Sequence, residues 1–302
     1  TRDFLKVVLV VLLILFGLKS KAVAFSHVIG ILGMLLISYI ICKKTIPEIF
    51  GHNNLKKEDK KEIAKGIIYY STPVVFVGIM QIILVWLDSF FIGYFKTAVE
   101  VGLYSAAVPI ASFLHFVPEL FMQLFFPLIT KLYSKKDESL VKELSKQVAK
   151  WIFMINLPIF ILIFIFPSMA LGILFGDQYL ISANALRILS IGLFITTIIP
   201  TLSYHLLLMK GKSRVILFNT CLIIVINTIL NYLLIPMKQI GFIDNELGIN
   251  GAAIATAISI IISSFLLIFE VRYYMSIVPA RRKMFRILIV ALVSSALLVY
   301  LK

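Results

Sequence analysis

The chain is 302 residues long, 61% hydrophobic and 15% charged, with a formal net charge of +14 and a mean hydropathy of +1.03. A soluble domain of this size could not cover that much apolar surface, so the composition points into lipid, where only helices or a closed barrel satisfy every backbone polar group. The apolar stretches are too long and unbroken for the alternating strands of a barrel, which leaves an all-α fold, a polytopic bundle of transmembrane helices.

A helix rising about 1.5 Å per residue must cross roughly 30 Å of hydrocarbon. On that measure about nine spans are expected, near 4–18, 23–42, 67–95, 102–131, 148–175, 183–209, 214–236, 250–275 and 285–301. Pro109, Pro118, Pro158, Pro167 and Pro200 fall inside them and are expected kink points, because proline removes a backbone donor and crowds the preceding turn.

The basic charge is not spread evenly. Segment 43–65 carries seven lysines and the following loop, 95–101, only Lys96; segment 131–150 carries six lysines and 172–182 no basic residue. Lys210, Lys212 and Arg214 follow, then Lys238 alone in 236–249, then Arg272, Arg281, Arg282, Lys283 and Arg286. This alternation is the positive-inside pattern. It predicts a multi-pass protein of the cytoplasmic membrane with its basic loops in the cytoplasm, in contact with anionic membrane lipid rather than nucleic acid. By the same count residue 1 is cytoplasmic and Lys302 external, and the chain opens Thr1-Arg2-Asp3, which suits a fragment of a longer protein.

The polar interruption at 43–65, with its mixed-sign run Lys56–Glu62, divides the chain. We expect two helices in 1–42, a charged cytoplasmic linker over 43–65, a lobe of six transmembrane helices in 66–276, and a further helix in 277–302. Mixed signs at helical spacing predict an interfacial helix in the linker, and Ser134 to Lys150 predicts a second, shorter one. Cys42 and Cys221 read as small buried hydrophobes rather than a metal or disulfide pair.

Polar side chains inside hydrocarbon are costly, so each needs a reason. Asp88 is the deep acidic residue of span 67–95, and Gln81 lies two turns earlier on the same helical face. Asn227 and Asn231 stand four residues apart on span 214–236, and Thr256 about six residues into span 250–275. Counting inward from ends oriented by charge places Asp88, Asn227, Asn231 and Thr256 at one depth. A carboxylate with amide and hydroxyl oxygens suits Na⁺ or a proton as coupling ion; the alternative is hydrogen bonding between helices. His115, Glu119 and Gln123, each four apart, form a stripe that either lines a substrate cavity with Gln81 or holds a buried His–Glu pair beside Pro118. Arg187 near the start of its span reads as an anchor or loop clamp. Ala252, Thr256, Ser259 and Ser263 read as a packing stripe of small residues.

The stretches "STPVVFVGIMQIILVWLDSFFIGYF" and "VGLYSAAVPI", followed by "FFPLITKLYSKKD", "FGDQYLISANALRILSIGLF", "KGKSRVILFN" and "NTILNYLLIPMKQIGFIDNELGINGAAIATAIS", resemble the polysaccharide flippases of the multidrug/oligosaccharidyl-lipid/polysaccharide exporter superfamily. The resemblance covers about residues 66–276. It implies two pseudo-symmetric, MATE-like lobes around a central cavity, with this chain holding about helices five to thirteen. It also implies a transporter, expected as a monomer, that flips a lipid-linked oligosaccharide for surface polysaccharide synthesis by alternating access. A Na⁺- or H⁺-coupled multidrug or metabolite antiporter of the same superfamily is the other reading. A membrane enzyme is disfavoured: there is no His-Glu-x-x-His, no Gly-rich phosphate loop and no large external loop.

Overall fold

The structure, a computed structural model, describes residues 19–45, 57–237 and 247–276. It is all-helical over these residues, with seven helical segments long and apolar enough to cross a membrane. The first and last of the nine expected spans, 4–18 and 285–301, lie outside the described residues, as do 46–56 of the linker and the helix expected in 277–302.

The chain divides into two units, Thr1–Ala64 and Lys65–Lys302. The first contains α1 (Lys19–Thr45), whose exposed residues include Leu35, Leu36, Ile37 and Ile40. A helix apolar on every face belongs in lipid or against other helices. The second unit begins within α2 (Lys57–Phe95) and continues through α3 (Ala98–Ser112), α4 (Phe116–Ser134), α5 (Glu138–Ile165), the short α6 (Pro167–Phe175), α7 (Ala183–Met209), α8 (Ser213–Leu234) and α9 (Gly248–Met275).

The charged segments are not separate interfacial helices. Residues from Lys57 run unbroken into the apolar body of α2, and Glu138 opens α5, which continues to Ile165. The Asp137 carboxylate accepts from Leu140 N at 3.1 Å and so caps α5 at its first turn, which satisfies an otherwise orphaned donor. Nothing then interrupts the helix between charged turns and apolar body. α3 starts similarly, with the Thr97 hydroxyl accepting from Glu100 N at 3.3 Å.

Two of the expected kinks coincide with breaks. Span 102–131 is divided by a 3₁₀ turn, Phe113–His115, between α3 and α4. Pro118 cannot donate to the carbonyl of Leu114 four residues back, and the buried Asn156 side chain donates to it instead at 3.0 Å. Span 148–175 ends early at Ile165, and Pro167 starts α6 at a first-turn position that needs no donor. Pro109, Pro158 and Pro200 lie within continuous helices. The Thr196 carbonyl that Pro200 leaves free receives the Thr201 hydroxyl at 3.0 Å.

Since lipid is as apolar as leucine, close approach rather than the hydrophobic effect joins these helices. One core joins Ala106, Ala107 and Ala111 of α3, Leu157 of α5, Leu186 and Leu189 of α7, and Ala252 and Ala253 of α9. A second joins Val77, Ile129, Val141, Leu206, Leu207, Ile216 and Val271. Within the expected small-residue stripe, Ala252 and Ser259 are fully buried, whereas Thr256 and Ser263 are half-buried. The tightest crossings lie beside that stripe. A Cβ on Gly192 of α7 would stand 2.9 Å from Ala257 Cα, and one on Gly251 of α9 would stand 2.6 Å from the Leu234 carbonyl oxygen of α8. Cys221 is exposed on α8 rather than buried, Cys42 is half-buried, and both are free.

Candidate functional site

Four helix ends meet around Asp88. It lies seven residues before the end of α2, Tyr104 six residues into α3, Asn231 three residues before the end of α8, and Thr256 eight residues into α9. At about 1.5 Å per residue all four sit roughly 5–12 Å from the same end of the bundle. Asp88 is 5% exposed, and Asn227 and Asn231 are fully buried.

The hydrogen bonds are specific. Asp88 Oδ2 accepts from the Tyr104 hydroxyl at 2.6 Å and from the Thr256 hydroxyl at 2.6 Å. Asp88 Oδ1 accepts from Asn231 Nδ2 at 2.8 Å. Asn231 Nδ2 also reaches Asn227 Oδ1 at 2.9 Å, and Asn227 Nδ2 donates to Thr256 Oγ1 at 3.0 Å. Three donors on one carboxylate are enough to offset much of the cost of burying its charge. Asn231 Oδ1 remains buried without a partner.

Asp88, Asn227, Asn231 and Thr256 are thus brought together, as depth counting expects. Tyr104 joins them and was not anticipated, because a tyrosine near a span's start reads as an interfacial anchor. Gln81 is not part of the network; it lies two turns away on α2 and is exposed.

The second expected group is less regular. His115 closes the 3₁₀ turn and is half-buried, whereas Glu119 and Gln123 lie on α4 and are exposed. The stripe is therefore not one continuous helical face. Thr130 is exposed as well, and Glu119, Gln123 and Thr130 recur along α4 within about 40° of one line. Polar side chains exposed at membrane depth belong against water or protein rather than lipid.

Arg187 donates from Nε to the Phe164 carbonyl at 3.2 Å and from Nη1 to Asn184 Oδ1 at 3.3 Å. It thus ties the last turn of α5 to the first turn of α7, the clamp expected of it. At the other end of α8 and α9, Asn219 Nδ2 donates to Glu270 Oε2 at 2.6 Å, a pair the sequence reading passed over. Nearby, Arg214 stacks on Tyr69 and Lys212 on Tyr274, with the cations 4.2 Å and 4.6 Å from the ring centroids. Lys210 Nζ donates to the Tyr274 carbonyl. Among the described residues, no three His, Cys, Asp or Glu side chains are grouped to hold a metal ion.

Comparison with known proteins gives a family match, two relatives and a solved structure. The family described as "Polysaccharide biosynthesis protein" matches residues 1–184. The "Probable low-salt glycan biosynthesis flippase" of Haloferax volcanii is 25% identical over 255 residues, covering 84% of this chain and 50% of the relative. An uncharacterized membrane protein of Methanocaldococcus jannaschii is 26% identical over 227 residues, covering 74% of this chain and 42% of the relative. The chain spans about half the length of the curated relatives it matches. Among solved structures, an outward-facing multidrug resistance MATE family transporter of the MOP superfamily superposes with a TM-score of 0.69 at 17% identity, covering 91% of this chain and 60% of that one. That likeness establishes the MATE-like helical fold.

Proposed function

As the chain belongs to the family of polysaccharide biosynthesis proteins, we propose that it is a membrane transporter that flips a lipid-linked oligosaccharide across the cytoplasmic membrane by alternating access, coupled to a cation at Asp88. The glycan flippase named among its relatives supports the substrate class. The exposed line of Glu119 and Gln123 supports a hydrated face against which sugar hydroxyls could bond.

The observation that carries the coupling is the Asp88 network itself. Its residues fit Na⁺ or a proton. Asp88, Thr256, Tyr104, Asn227 and Asn231 bring side-chain oxygens from four helices to one point, and the partnerless Asn231 Oδ1 is one turn of its amide away from facing Asp88. Either cation would supply one positive charge beside a buried carboxylate. With the carboxylate ionised, hydroxyls and amide all donate to it and hold α2, α3, α8 and α9 together. With that charge offset, the Thr256 and Tyr104 hydroxyls are free to turn and accept instead, since each is both donor and acceptor. The two states then differ in how firmly four helices are tied, which is the differential affinity that alternating access needs.

The test is Asp88→Asn in the protein reconstituted into liposomes with a lipid-linked oligosaccharide. The nearly isosteric amide should leave helicity and melting close to wild type while flipping loses its dependence on a Na⁺ or pH gradient. Flipping that still follows the gradient in Asp88→Asn would end the coupling proposal.

A further inference from the structure

Asn219 and Glu270 join the same two helices as Asn227 and Thr256, but toward the other end. Asn219 lies six residues into α8, and Glu270 five residues before the end of α9. Asn219 is buried and Glu270 half-buried. From Thr256 to Glu270 is fourteen residues, about 21 Å along the axis. Between them Ser259 and Ser263 share the helical face of Thr256 and Glu270.

A bond between helices needs only two amides or hydroxyls. A carboxylate is the more expensive choice at membrane depth, and in such places it marks an ion or proton path by default. Na⁺ would require several further oxygens around it, whereas the pair offers one carboxylate and the Asn219 carbonyl. A proton requires a single carboxylate oxygen. The 2.6 Å bond from Asn219 fixes Oε2 and leaves the carboxyl group oriented in the seam.

We propose that Glu270, oriented by Asn219, is a second proton-binding carboxylate, at the end of the α8–α9 seam opposite Asp88. The proposal extends the reading of Asp88 as a coupling carboxylate. The cations at this end are engaged elsewhere: Lys210 with the Tyr274 carbonyl, Lys212 with the Tyr274 ring and Arg214 with the Tyr69 ring. Arg272 on α9 is exposed. Tyr204 and His205 complete the titratable groups that α7 brings to this end, with His205 against the Phe126 ring. On α3, which also packs on α9, Glu100 and Tyr104 lie at the Asp88 end, while α2, bonded to α9 through Asp88, brings Tyr69 under Arg214 and Tyr70 onto the Leu208 carbonyl.

The measurement is pH-difference infrared spectroscopy of the purified, lipid-reconstituted protein, read at the protonated-carboxyl C=O stretch between about pH 5 and 8. Glu270→Gln should lose one component of that band and melt like wild type, because glutamine can still accept from Asn219. Asp88→Asn should lose a different component or none. A Glu270→Gln spectrum that superimposes on wild type overturns the proposal and leaves Glu270 as an interhelical bond only. If Glu270→Gln does not fold, Glu270→Asp decides: the shorter side chain gives up the Asn219 bond, so its component must shift, and an unshifted band overturns the proposal. Loss of the Glu270 component while Asp88→Asn still flips in response to the gradient would sink the Asp88 reading and leave this one standing.

Discussion

Both ends of the α8–α9 pair meet a carboxylate with a neutral amide, Asp88 with Asn231 and Glu270 with Asn219, but only one end also holds cations against aromatic rings. At the Asp88 end a buried anion is met from inside by neutral donors, Tyr104, Thr256 and Asn231, and no cation among the described residues is bonded to it. At the other end cations are met by backbone carbonyls and aromatic faces, Lys210 on Tyr274, Lys212 on the Tyr274 ring and Arg214 on Tyr69. A direct salt bridge would hold each charge more tightly in low dielectric but would be hard to rearrange. Hydroxyls and amides can reverse their bonds, and stacked cations can leave a ring at little cost. Each end is thus held by interactions that can be undone without breaking an ion pair.

The helix crossings beside the Asp88 end are rigid by comparison, and breaking them should have the largest effect. Gly251→Val places a side chain where a Cβ alone is 2.6 Å from the Leu234 carbonyl, and Gly192→Leu does the same against Ala257. Backbone cannot yield as a side-chain tip can, so α9 must move off α8 or α7. We expect loss of a monodisperse peak in size-exclusion chromatography for both variants, whereas Gly78→Ala, with nothing near its Cβ position, should elute as wild type.

The orientation of the two ends can be sharpened by labelling. If the basic loops are cytoplasmic, a cysteine at Lys136 in a cysteine-free background is protected from a membrane-impermeant thiol reagent in intact cells, and one at Asp177 reacts. This orientation puts the Asp88 end outside and the Glu270 end toward the cytoplasm, and reversed labelling would exchange the two.

A smaller effect comes from removing one donor of the network. Asn231→Leu removes the amide donor shared by Asp88 Oδ1 and Asn227 Oδ1. A stranded buried acceptor costs about 1–3 kcal/mol, so the variant should melt several degrees lower. Asn231→Asp would crowd two carboxylates and should recover only where a cation is bound, seen as a melting point that rises with NaCl and not with KCl.

Most of the Asp88 site could be read in the sequence because two coarse signals sufficed. Lysine counts orient each span, and apolar run lengths give depth, so Asp88, Asn227, Asn231 and Thr256 could be set at one level without knowing a contact. What that method misses is any polar residue whose type is ordinary at its depth. Tyr104 and Glu270 lie near helix ends, where a tyrosine or a carboxylate is ordinary, and only packing reveals that one bonds Asp88 and the other Asn219. The course of α4 was misread for a different reason. Periodicity from His115 to Gln123 assumes an unbroken helix, while the break depends on Asn156, forty-two residues away in sequence, taking the carbonyl that Pro118 leaves free. The charged turns at 57–65 and 138–150 were expected to be separate helices because charge was taken as a boundary. A helix in fact crosses from water into lipid without a break, wherever caps such as Asp137 start it early.

The smallest effect, and the one that most directly separates the two ends, concerns the stacked cations. Arg214 lies over Tyr69, and the neighbouring Tyr70 hydroxyl donates to the Leu208 carbonyl at 3.1 Å, so two consecutive residues of α2 hold the turn between α7 and α8. A cation over an exposed ring contributes about 0.5–1 kcal/mol, mainly through the ring's quadrupole. Tyr69→Phe keeps that quadrupole and should melt as wild type. Tyr69→Leu keeps the apolar bulk without the ring and should lose the whole contribution, a shift of a degree or two. The difference between the two variants should vanish in the Arg214→Gln background, because the ring then has no cation to attract. If Tyr69→Phe is as unstable as Tyr69→Leu, the phenol hydroxyl rather than the ring face is what matters. The basic end would then be held by hydrogen bonds much as the Asp88 end is, and the contrast between them would fail.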